Sequence, residues 1–339
     1  MKVNDLLKKI KEIPRVNFAF LPTPLDFLPN MSKELGINLY IKRDDCTGLA
    51  FGGNKTRHLE FIMAKTINSD YDCIITGATT QSNWCRQTIA AANKLNLETF
   101  LVLMEGIKGI KNQGNYLLYK ILGANIDIIK GENLEDIPEH LEIKFNKLKK
   151  QGRKPLLLKG GFDYKDTILS AISYVNAMAE IDVQMKEKDF VADHLILSSV
   201  NMTQAGCVLG SKILEWNTRV QGFSPVYWDM NLKKEIVRIC NQAANKLNIK
   251  LNFDETMINN DNNFVGKEYG ITSKDGLNAL KLLAKKEGVI LDTVYTSKAF
   301  AGLINYIKKG IIKKNQNVIF LFTGGNTANF AYEEELITI

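Results

Sequence analysis

The sequence lacks several features that mark secreted, membrane-spanning or zinc-binding proteins. Its five cysteines are odd in number and show no C-x-x-C spacing, so we expect reduced thiols in an intracellular protein. Only three histidines are present, and no pair of histidines or cysteines has the spacing of zinc ligands, so we expect no metal site. No uninterrupted apolar run is long enough to span a bilayer. No repeat or low-complexity linker is visible either.

The N-terminal stretch and the charge exclude further classes. The first residues, MKVNDLLKKIKEI, interrupt their apolar positions with charges, unlike the apolar core of a signal peptide, so we expect a cytoplasmic protein. The formal net charge of +7 comes from lysines spread over helical faces, as in residues 144–154 and 306–316. These runs lack interleaved aromatics and arginine clusters, so we expect no nucleic-acid partner. A mildly positive field still suits an anionic substrate.

What the sequence does contain is an alternation of β-rich runs and helical patterns. Its 339 residues, 45% of them hydrophobic, suffice for a sizeable core and about two domains. Helical spacing lies between the β-rich runs, as with Leu59, Ile62, Met63 and Ile67. The alternation predicts an α/β protein with parallel sheets and crossover helices. The β-rich runs cover residues 72–78, 99–104, 125–130, 155–161, 194–200 and 317–325.

The loop FGGNKTRHLE, residues 51–60, places a lysine at a predicted helix start. Gly52 and Gly53 permit positive φ or a close backbone approach, and Asn54 is a good N-cap, so Lys55 is predicted at the first helical position. The helix dipole disfavours an ammonium there and should lower the pKa of Lys55, which suits an amine that attacks a carbonyl. The alternative is a solvated lysine at a helix entrance.

The loop TTQSNWCRQT, residues 79–88, also follows a predicted strand and opens a predicted helix. Ser82 or Asn83 can simply cap that helix. The same geometry can hold a substrate carboxylate on free backbone N–H groups, with the Ser82 hydroxyl beside it. Trp84 and Cys85 are expected to be core contacts, because no histidine near Cys85 indicates a nucleophile.

Two later loops have similar positions at the ends of predicted strands. In SSVNMTQAG, residues 198–206, successive N–H groups can cradle a phosphate, although Thr203 and the serines are also ordinary loop and cap residues. In FTGGNTANFAY, residues 322–332, Thr323 can point a hydroxyl into the same crevice. A plain turn explains this segment equally well. Ligands gather at such strand ends in open α/β sheets.

Together the loops resemble one family, the pyridoxal-phosphate enzymes of the D-cysteine desulfhydrase and aminocyclopropane-carboxylate deaminase group. The similarity extends over nearly the whole chain, in order and at matching spacing, which is more specific than any one motif. The segments that carry it are LPTPLDFLPNMSKELGINLYIKRDD, GGNKTR, QSN with CRQT, TQAG, EYGI, GVILDTVYTSKAFAGL and TGG with NFAY.

This resemblance implies fold type II, the tryptophan-synthase-β-like class of pyridoxal phosphate enzymes. Its architecture is two open, twisted, mostly parallel sheets with flanking helices. A smaller domain, residues 56–160, is expected to be inserted in a larger cofactor-binding domain formed by residues 1–55 and 161–339. The resemblance also implies pyridoxal 5'-phosphate as cofactor, a small amino acid as substrate and a homodimer.

The resemblance further implies roles for the loop residues. Lys55 would bind the cofactor aldehyde as a Schiff base and later move the substrate Cα proton. Asn83 would bond the phenolic oxygen of the cofactor, Ser82 would hold the substrate carboxylate, and Thr323 would face the pyridine nitrogen. An uncharged hydroxyl at that nitrogen favours prompt expulsion of a β-leaving group. The other expected binding residues are Asn54, His58, Ser199, Val200, Asn201, Met202 and Thr203 for the cofactor, and Gln81, Asn83 and Trp84 for the substrate.

A late segment distinguishes members of the group. In the deaminases a tyrosine-glutamate pair assists ring opening or proton transfer, whereas here Tyr295 is followed by Thr296, as in the desulfhydrase and sulfo-lyase members. We therefore expect a lyase that acts on D-cysteine first and L-cysteate second, with Tyr295 and Tyr269 as catalytic phenols. The alternatives are a deaminase or β-replacement enzyme on another small amino acid, and a non-catalytic protein that senses an amino acid or phosphate ligand.

The chain departs from the family pattern at several positions that border the crevice. The usual G-S-G-G-T phosphate loop reads SVNMT at residues 199–203. The lysine expected three residues after Lys55 is His58, which would be either a phosphate contact or a neutral surface residue. Histidines expected beside QSN and before TGG are Trp84 and Phe322.

Overall fold

A computed structural model describes residues 1–130, 134–228 and 231–337 of the chain. The strands are β1 (Leu25–Phe27), β2 (Asn38–Arg43), β3 (Cys73–Thr79), β4 (Glu98–Met104), β5 (Asn125–Ile129), β6 (Pro155–Leu157), β7 (His194–Ser198), β8 (Arg219–Phe223), β9 (Asn259–Asp261) and β10 (Asn317–Phe322). The helices are α1 (Val3–Lys11), α2 (Pro29–Leu35), α3 (Asn54–Ile62), α4 (Asn83–Lys94), α5 (Gly114–Ile121), α6 (Ile137–Lys150), α7 (Tyr164–Glu187), α8 (Met202–Ile213), α9 (Leu232–Lys246), α10 (Lys274–Glu287), α11 (Thr296–Lys308) and α12 (Glu333–Ile337).

Two sheets organise the fold. The larger is six-stranded, in the order β1-β2-β10-β7-β8-β9, and the smaller is four-stranded, in the order β5-β4-β3-β6. Among the described strands only β1 pairs in the antiparallel sense, with β2, and the other pairings are parallel. The predicted α/β class with mostly parallel sheets is therefore confirmed. No helix in the described ranges is both long enough and apolar enough to cross a membrane.

The central strands of the larger sheet are apolar because helices cover both of its faces. Leu195 and Leu197 of β7 join a cluster with α1, α7, α8 and α9, while Ile196 joins the opposite cluster with α2, α10 and α11. Side chains alternate between the two faces of a strand, so a strand buried on both sides reads as a continuous apolar run. This explains why β7 and β10 were predictable from sequence.

Helices α7 and α8 lie unusually close together under this sheet. An ideal Cβ built on Gly206 of α8 would lie 2.3 Å from the carbonyl oxygen of Ala171 and 2.4 Å from Cβ of Tyr174 in α7. Only glycine at this position permits that approach. The contact brings α8, whose first turn follows β7, against the longest helix of the chain.

The smaller sheet is covered by α3, α4 and α5 on one face and by α6 on the other. Its strands come from the middle of the chain, and those of the larger sheet come from both ends, as an inserted domain requires. The domain boundaries after residues 55 and 160 stay a prediction.

Every predicted β-rich run contains a strand, but β1, β2, β8 and β9 were not predicted. Strand β2 ends in Lys42 and Arg43, and β8 contains Gln221. Lys42 and Gln221 are buried nonetheless, because other protein groups accept hydrogen bonds from their side chains. Gln221 Nε2 donates to the Gly222 carbonyl at 2.8 Å. The Lys42 ammonium donates to the Thr23 carbonyl at 2.7 Å and to Gln184 Oε1 at 2.7 Å.

A buried charge network ties β2, α3 and α7 together. Arg57 donates to both carboxylate oxygens of Asp44 at 2.9 Å and to Glu180 at 3.0 Å. The Tyr174 hydroxyl donates to Asp44 at 2.6 Å, and the ammonium of Lys42 pairs with Glu180. Burial by itself raises the pKa of Asp44, but the Arg57 guanidinium outweighs it and lowers that pKa below its ordinary value. The network fixes the helix that begins the candidate site.

Replacing Arg57 by methionine should lower the free energy of unfolding by about 3–5 kcal/mol, because Asp44 would stay buried without its cation. Urea denaturation followed by circular dichroism measures the change. Arg238→Met is the matched control, since the Arg238–Glu235 pair on α9 retains more solvent contact and spans only i,i+3. The Arg238→Met control should lower the free energy of unfolding by about 0.5 kcal/mol. Equal losses for the two variants would contradict the structural role given to Arg57.

Candidate active site

A cavity of about 230 Å³ lies where the carboxyl ends of strands from both sheets meet. The loops after β3, β7, β8 and β10 contribute to it, as does the start of α3. This is where ligands bind in open α/β sheets. Most of the predicted site residues line it, namely Asn54, Lys55, Ser82, Asn83, Trp84, Ser199, Val200, Asn201, Met202, Thr203, Tyr269, Tyr295 and Thr323.

The start of α3 differs in detail from the prediction. Gly53, at φ 124°, is the N-cap, so Asn54 is the first helical residue and Lys55 the second. Asn54 was expected to cap the helix, but its side-chain amide donates across the cavity wall to Thr203 Oγ1 at 3.2 Å. Glycine takes the cap because φ is positive and space is short there: an ideal Cβ on Gly53 would lie 2.7 Å from Gln87 Nε2 and 3.3 Å from the Thr323 carbonyl oxygen.

Lys55 has the properties of a reactive amine. Its ammonium makes no hydrogen bond or ion pair with any described residue, although it lines the cavity. Burial lowers the pKa of Lys55 to about 8. The sequence predicted this direction from the helix dipole, whereas in the structure the loss of solvent is its cause. A lysine with such a pKa is partly neutral near neutral pH and can act as a nucleophile.

The first turn of α8 forms a cradle for an anion. In the described chain the backbone N–H groups of Val200, Asn201 and Thr203 donate to no protein acceptor. The Ser198 hydroxyl is buried there and also lacks a described partner. Ser199 shapes the turn by accepting from the Gln204 N–H at 3.1 Å. Free N–H groups at a helix start attract phosphate or carboxylate.

His58 lies behind this cradle and is completely buried, so it is not a surface residue. Its Nε2 is 3.3 Å from Thr203 Oγ1, and its Nδ1 has no partner among the described residues. Burial, followed by the nearby charge of Lys55, lowers the pKa of His58 well below its ordinary value. A neutral His58 therefore supports the cradle from behind through Thr203 and does not line the cavity itself.

The first turn of α4 forms a second set of free donors. Ser82 is the N-cap, and its hydroxyl accepts from the Cys85 N–H at 3.3 Å. The N–H groups of Asn83 and Trp84 donate to no described protein acceptor. The indole N–H of Trp84 is occupied by Thr76 Oγ1 at 2.7 Å, and Cys85 is buried in the core as predicted.

Gln81 lies apart from the other predicted substrate residues. Its side chain accepts from the Asn115 N–H at 2.8 Å and donates to the Gln113 carbonyl at 3.1 Å. It lines a neighbouring cavity of about 480 Å³, which shares Thr79, Tyr269 and Tyr295 with the first. The neighbouring cavity is therefore an extension of the same cleft.

Two phenols face the cavity from opposite loops. The hydroxyls of Tyr269 and Tyr295 are hydrogen-bonded to each other. Burial raises the pKa of both, so both are protonated at neutral pH. The described residues that line the cavity of about 230 Å³ include Lys55 and these two tyrosines as titratable groups and no carboxylate, whereas Glu105, Glu135 and Glu268 line its extension. The groups in this cavity that can exchange protons with a ligand are therefore the Lys55 amine and the two phenols.

One residue beside the site was given no role from sequence. Arg86 lies one turn after Ser82 on α4, is fully buried, and donates to Asn83 Oδ1 at 2.9 Å. It was quoted only as part of the CRQT segment. A charged residue between the apolar residues Trp84, Cys85 and Ile89 of α4 is the signal that could have identified it.

Comparisons with known proteins agree with this geometry. A family model described as "Pyridoxal-phosphate dependent enzyme" matches residues 16–324. The chain is 32% identical over 334 residues to D-cysteine desulfhydrase of Klebsiella pneumoniae, covering 97% of this chain and 99% of that protein. D-cysteine desulfhydrase of Salmonella typhimurium is 33% identical over 330 residues, covering 96% and 98%. A crystal structure of an ACC deaminase homologue, 31% identical, matches with a TM-score of 0.89 and covers 98% of each chain.

The lowered pKa of Lys55 predicts its labelling behaviour. In cofactor-free protein, reductive methylation of Lys55 should reach half its maximal rate near pH 8, because only the neutral amine reacts. Peptide mass spectrometry measures the rate at each pH, with exposed lysines as internal controls. Half-maximal labelling at the ordinary lysine value, about 10.4, would show that burial does not perturb this amine.

Proposed function

The chain belongs to the pyridoxal-phosphate dependent enzyme family, and from that premise we propose that it catalyses α,β-elimination from a small cysteine-like amino acid. D-cysteine, which would yield pyruvate, sulfide and ammonia, is the first proposed substrate and L-cysteate the second. The observation that carries the proposal is the lining of the cavity of about 230 Å³ around Lys55, in which the described residues offer an amine and two phenols but no carboxylate.

The cavity residues fit pyridoxal phosphate. Lys55 provides an unpaired amine of lowered pKa for the cofactor aldehyde. The free N–H groups of residues 200, 201 and 203, with the unpartnered Ser198 hydroxyl, suit its phosphate. His58 and Asn54 hold this cradle through Thr203. The SVNMT loop can therefore bind a phosphate through the N–H groups of residues 200, 201 and 203, although its side chains are neutral.

When bound, pyridoxal phosphate supplies an electron sink for the bond that breaks at the substrate Cα. The chain supplies the groups that place and move protons. Lys55 Nζ is the proposed base for the Cα proton. The N–H groups of Asn83 and Trp84, with the Ser82 hydroxyl, are the proposed ligands of the substrate carboxylate. Thr323, whose hydroxyl has no described partner, is the proposed neighbour of the ring nitrogen.

The paired phenols are the proposed acids for the leaving group. Tyr295 and Tyr269 stay protonated because burial raises the pKa of each. One hydroxyl can donate a proton to the departing sulfur while the other donates to the first, which keeps both oxygens hydrogen-bonded. Departure as neutral hydrogen sulfide is easier than departure as an anion in a buried site.

The position after Tyr295 favours a lyase over a deaminase. Thr296 is fully buried, and its hydroxyl donates to Asp292 Oδ1 at 2.6 Å. Asp292 in turn accepts from the N–H groups of Val294 and Tyr295 at 2.8 Å and of Thr296 at 2.7 Å, so it holds the turn that leads into α11. Neither side chain provides the cavity with the carboxylate that the deaminases place next to this tyrosine. The similarity to an ACC deaminase homologue keeps deamination as the second candidate.

We also propose a homodimer. Phe20, Phe51 and Phe330 are each at least 70% exposed. Phe20 lies against Gly48. The segments that carry Phe51 and Phe330 are joined through Arg86, which donates to the Gly52 carbonyl and to Thr327. Exposed aromatics concentrated on neighbouring segments indicate an interaction surface, and a second copy of this chain is its proposed occupant.

We propose that the enzyme works in the cytoplasm. All five cysteines are free thiols, and four of them are buried in the core. Burial raises the pKa of Cys85 to about 12, so this thiol is protonated and unreactive where it lies beside the cavity. A chain with five free thiols, four of them buried as small apolar residues, suits a reducing compartment.

Keto-acid assays should identify the reaction. D-cysteine is expected to give pyruvate and sulfide, with slower pyruvate formation from L-cysteate, and Lys55→Ala should abolish both activities together with the visible absorbance of bound cofactor. L-cysteine and aminocyclopropane-carboxylate complete the panel. Release of 2-oxobutyrate from aminocyclopropane-carboxylate, without sulfide from D-cysteine, would replace the lyase by the deaminase. Visible absorbance without turnover of any substrate would favour a non-catalytic sensor.

Sedimentation velocity tests the dimer. The wild type should sediment as a dimer, and the double variant Phe51→Glu with Phe330→Glu should shift to the monomer, because two charges would be buried without partners. Ile143→Glu, a substitution of another exposed apolar residue on α6, is the control and should leave the sedimentation unchanged. A monomeric wild type would refute the proposal.

A further inference from the structure

Arg86 is a buried positive charge without a counter-charge among the residues that the structure describes. Its side chain is fully buried, and it forms no ion pair with any residue that the structure describes. Its hydrogen bonds go to neutral oxygens: Asn83 Oδ1 at 2.9 Å, Asn115 Oδ1 at 2.8 Å, the Gly52 carbonyl at 2.7 Å, and the Thr327 hydroxyl. Its Nε atom has no described partner.

The other fully buried arginine shows how unusual this is. Arg57 is surrounded by two carboxylates, Asp44 and Glu180, which compensate its charge. Burial lowers the pKa of Arg86 to about 10, so the guanidinium is still protonated at neutral pH. Placing an uncompensated charge in the interior costs several kcal/mol per ion. Such a cost is offset when an anion binds nearby.

Asn83 connects this charge to the cavity. An arginine can only donate, so the atom of Asn83 that faces Arg86 must be the carbonyl oxygen. The same oxygen accepts from Asn115 Nδ2 at 3.0 Å. The amide nitrogen of Asn83 is therefore turned the other way, toward Gly325, whose ideal Cβ would lie 3.2 Å from it. Asn83 lines the cavity, and its N–H donor is polarised by the guanidinium behind it.

We propose that Arg86 is a positioning residue that holds Asn83 as an N–H donor and supplies the counter-charge for an oxyanion bound at that donor. Two oxyanions have this chemistry: the ionised ring hydroxyl of pyridoxal phosphate and the carboxylate of an amino-acid substrate. The inference rests on the proposed cofactor site, and it does not depend on D-cysteine being the substrate.

The test uses holoenzyme carrying Arg86→Met, which removes the charge at similar volume, or Arg86→Lys, which keeps a charge. Thr88→Val is the control on the same helix, because the Thr88 hydroxyl is buried and has no described partner. Two quantities are measured in each variant. One is the pH midpoint of the visible absorbance of the bound cofactor, and the other is the Kd of D-alanine, an amino acid without a leaving group, from the change in that absorbance.

A positive charge lowers the pKa of nearby acids, so its removal must raise them. If the ring hydroxyl is the oxyanion, Arg86→Met should move the midpoint up by at least about 0.5 pH unit, about threefold in the acid dissociation constant, with most of the shift recovered in Arg86→Lys. If the substrate carboxylate is the oxyanion, the midpoint should stay and the Kd of D-alanine should rise about tenfold. Either result supports the role and identifies the anion.

Changes no larger than those of Thr88→Val in both quantities would overturn the proposal. A double-mutant cycle tests the connection through Asn83: the effect of Arg86→Met should be much smaller in an Asn83→Ala background, and an undiminished effect would refute the relay. Should Arg86→Met fail to fold, Arg86→Gln, which also removes the charge, replaces it with the same expected shifts and the same control. The midpoint requires only bound cofactor and the Kd requires only that D-alanine binds, so both readouts stand even if D-cysteine is not turned over.

Discussion

The ion pairs of Arg57 with Asp44 and Glu180 fix the helix from which the candidate site is built. Asp44 directly follows β2 of the larger sheet, Arg57 lies on α3, and Glu180 lies on α7. With the charges buried and mutually compensated, α3 has one favourable position relative to the sheet. Lys55 stands two residues before Arg57, so this network also decides where the reactive amine lies.

The remainder of the site is arranged around positive potential. Two helices, α4 and α8, begin at the cavity with free N–H groups, and Lys55 and Arg86 add cationic groups at its floor and behind its wall. The described lining of the cavity of about 230 Å³ holds no carboxylate to oppose them, and Glu105, Glu135 and Glu268 line only its extension. A cofactor phosphate and a substrate carboxylate both need such an environment, which explains how neutral side chains can occupy residues 199–203.

The fold was predictable wherever burial on both faces of a sheet produced a continuous apolar run, as in β7 and β10. Strands β2 and β8 were not predicted because the polar residues Lys42 and Gln221 interrupt their apolar runs. In the site, the loops at residues 51–60 and 79–88 were predictable from their glycine and helix-capping residues. The prediction for Asn54 was wrong: Gly53 is the N-cap, and the Asn54 side chain donates a hydrogen bond to Thr203.

The sequence by itself determined the α/β class, the family and the loops from which the site is made, because these depend on local periodicity, turn chemistry and an ordered series of motifs. Tertiary structure alone decided the electrostatic state of the key groups. The pKa of Lys55 falls through burial, His58 is buried behind the cradle, and Arg86 has no counter-charge in the described part of the chain. Burial and charge compensation depend on partners far apart in the chain, such as residues 86 and 327, and no local pattern encodes those distances.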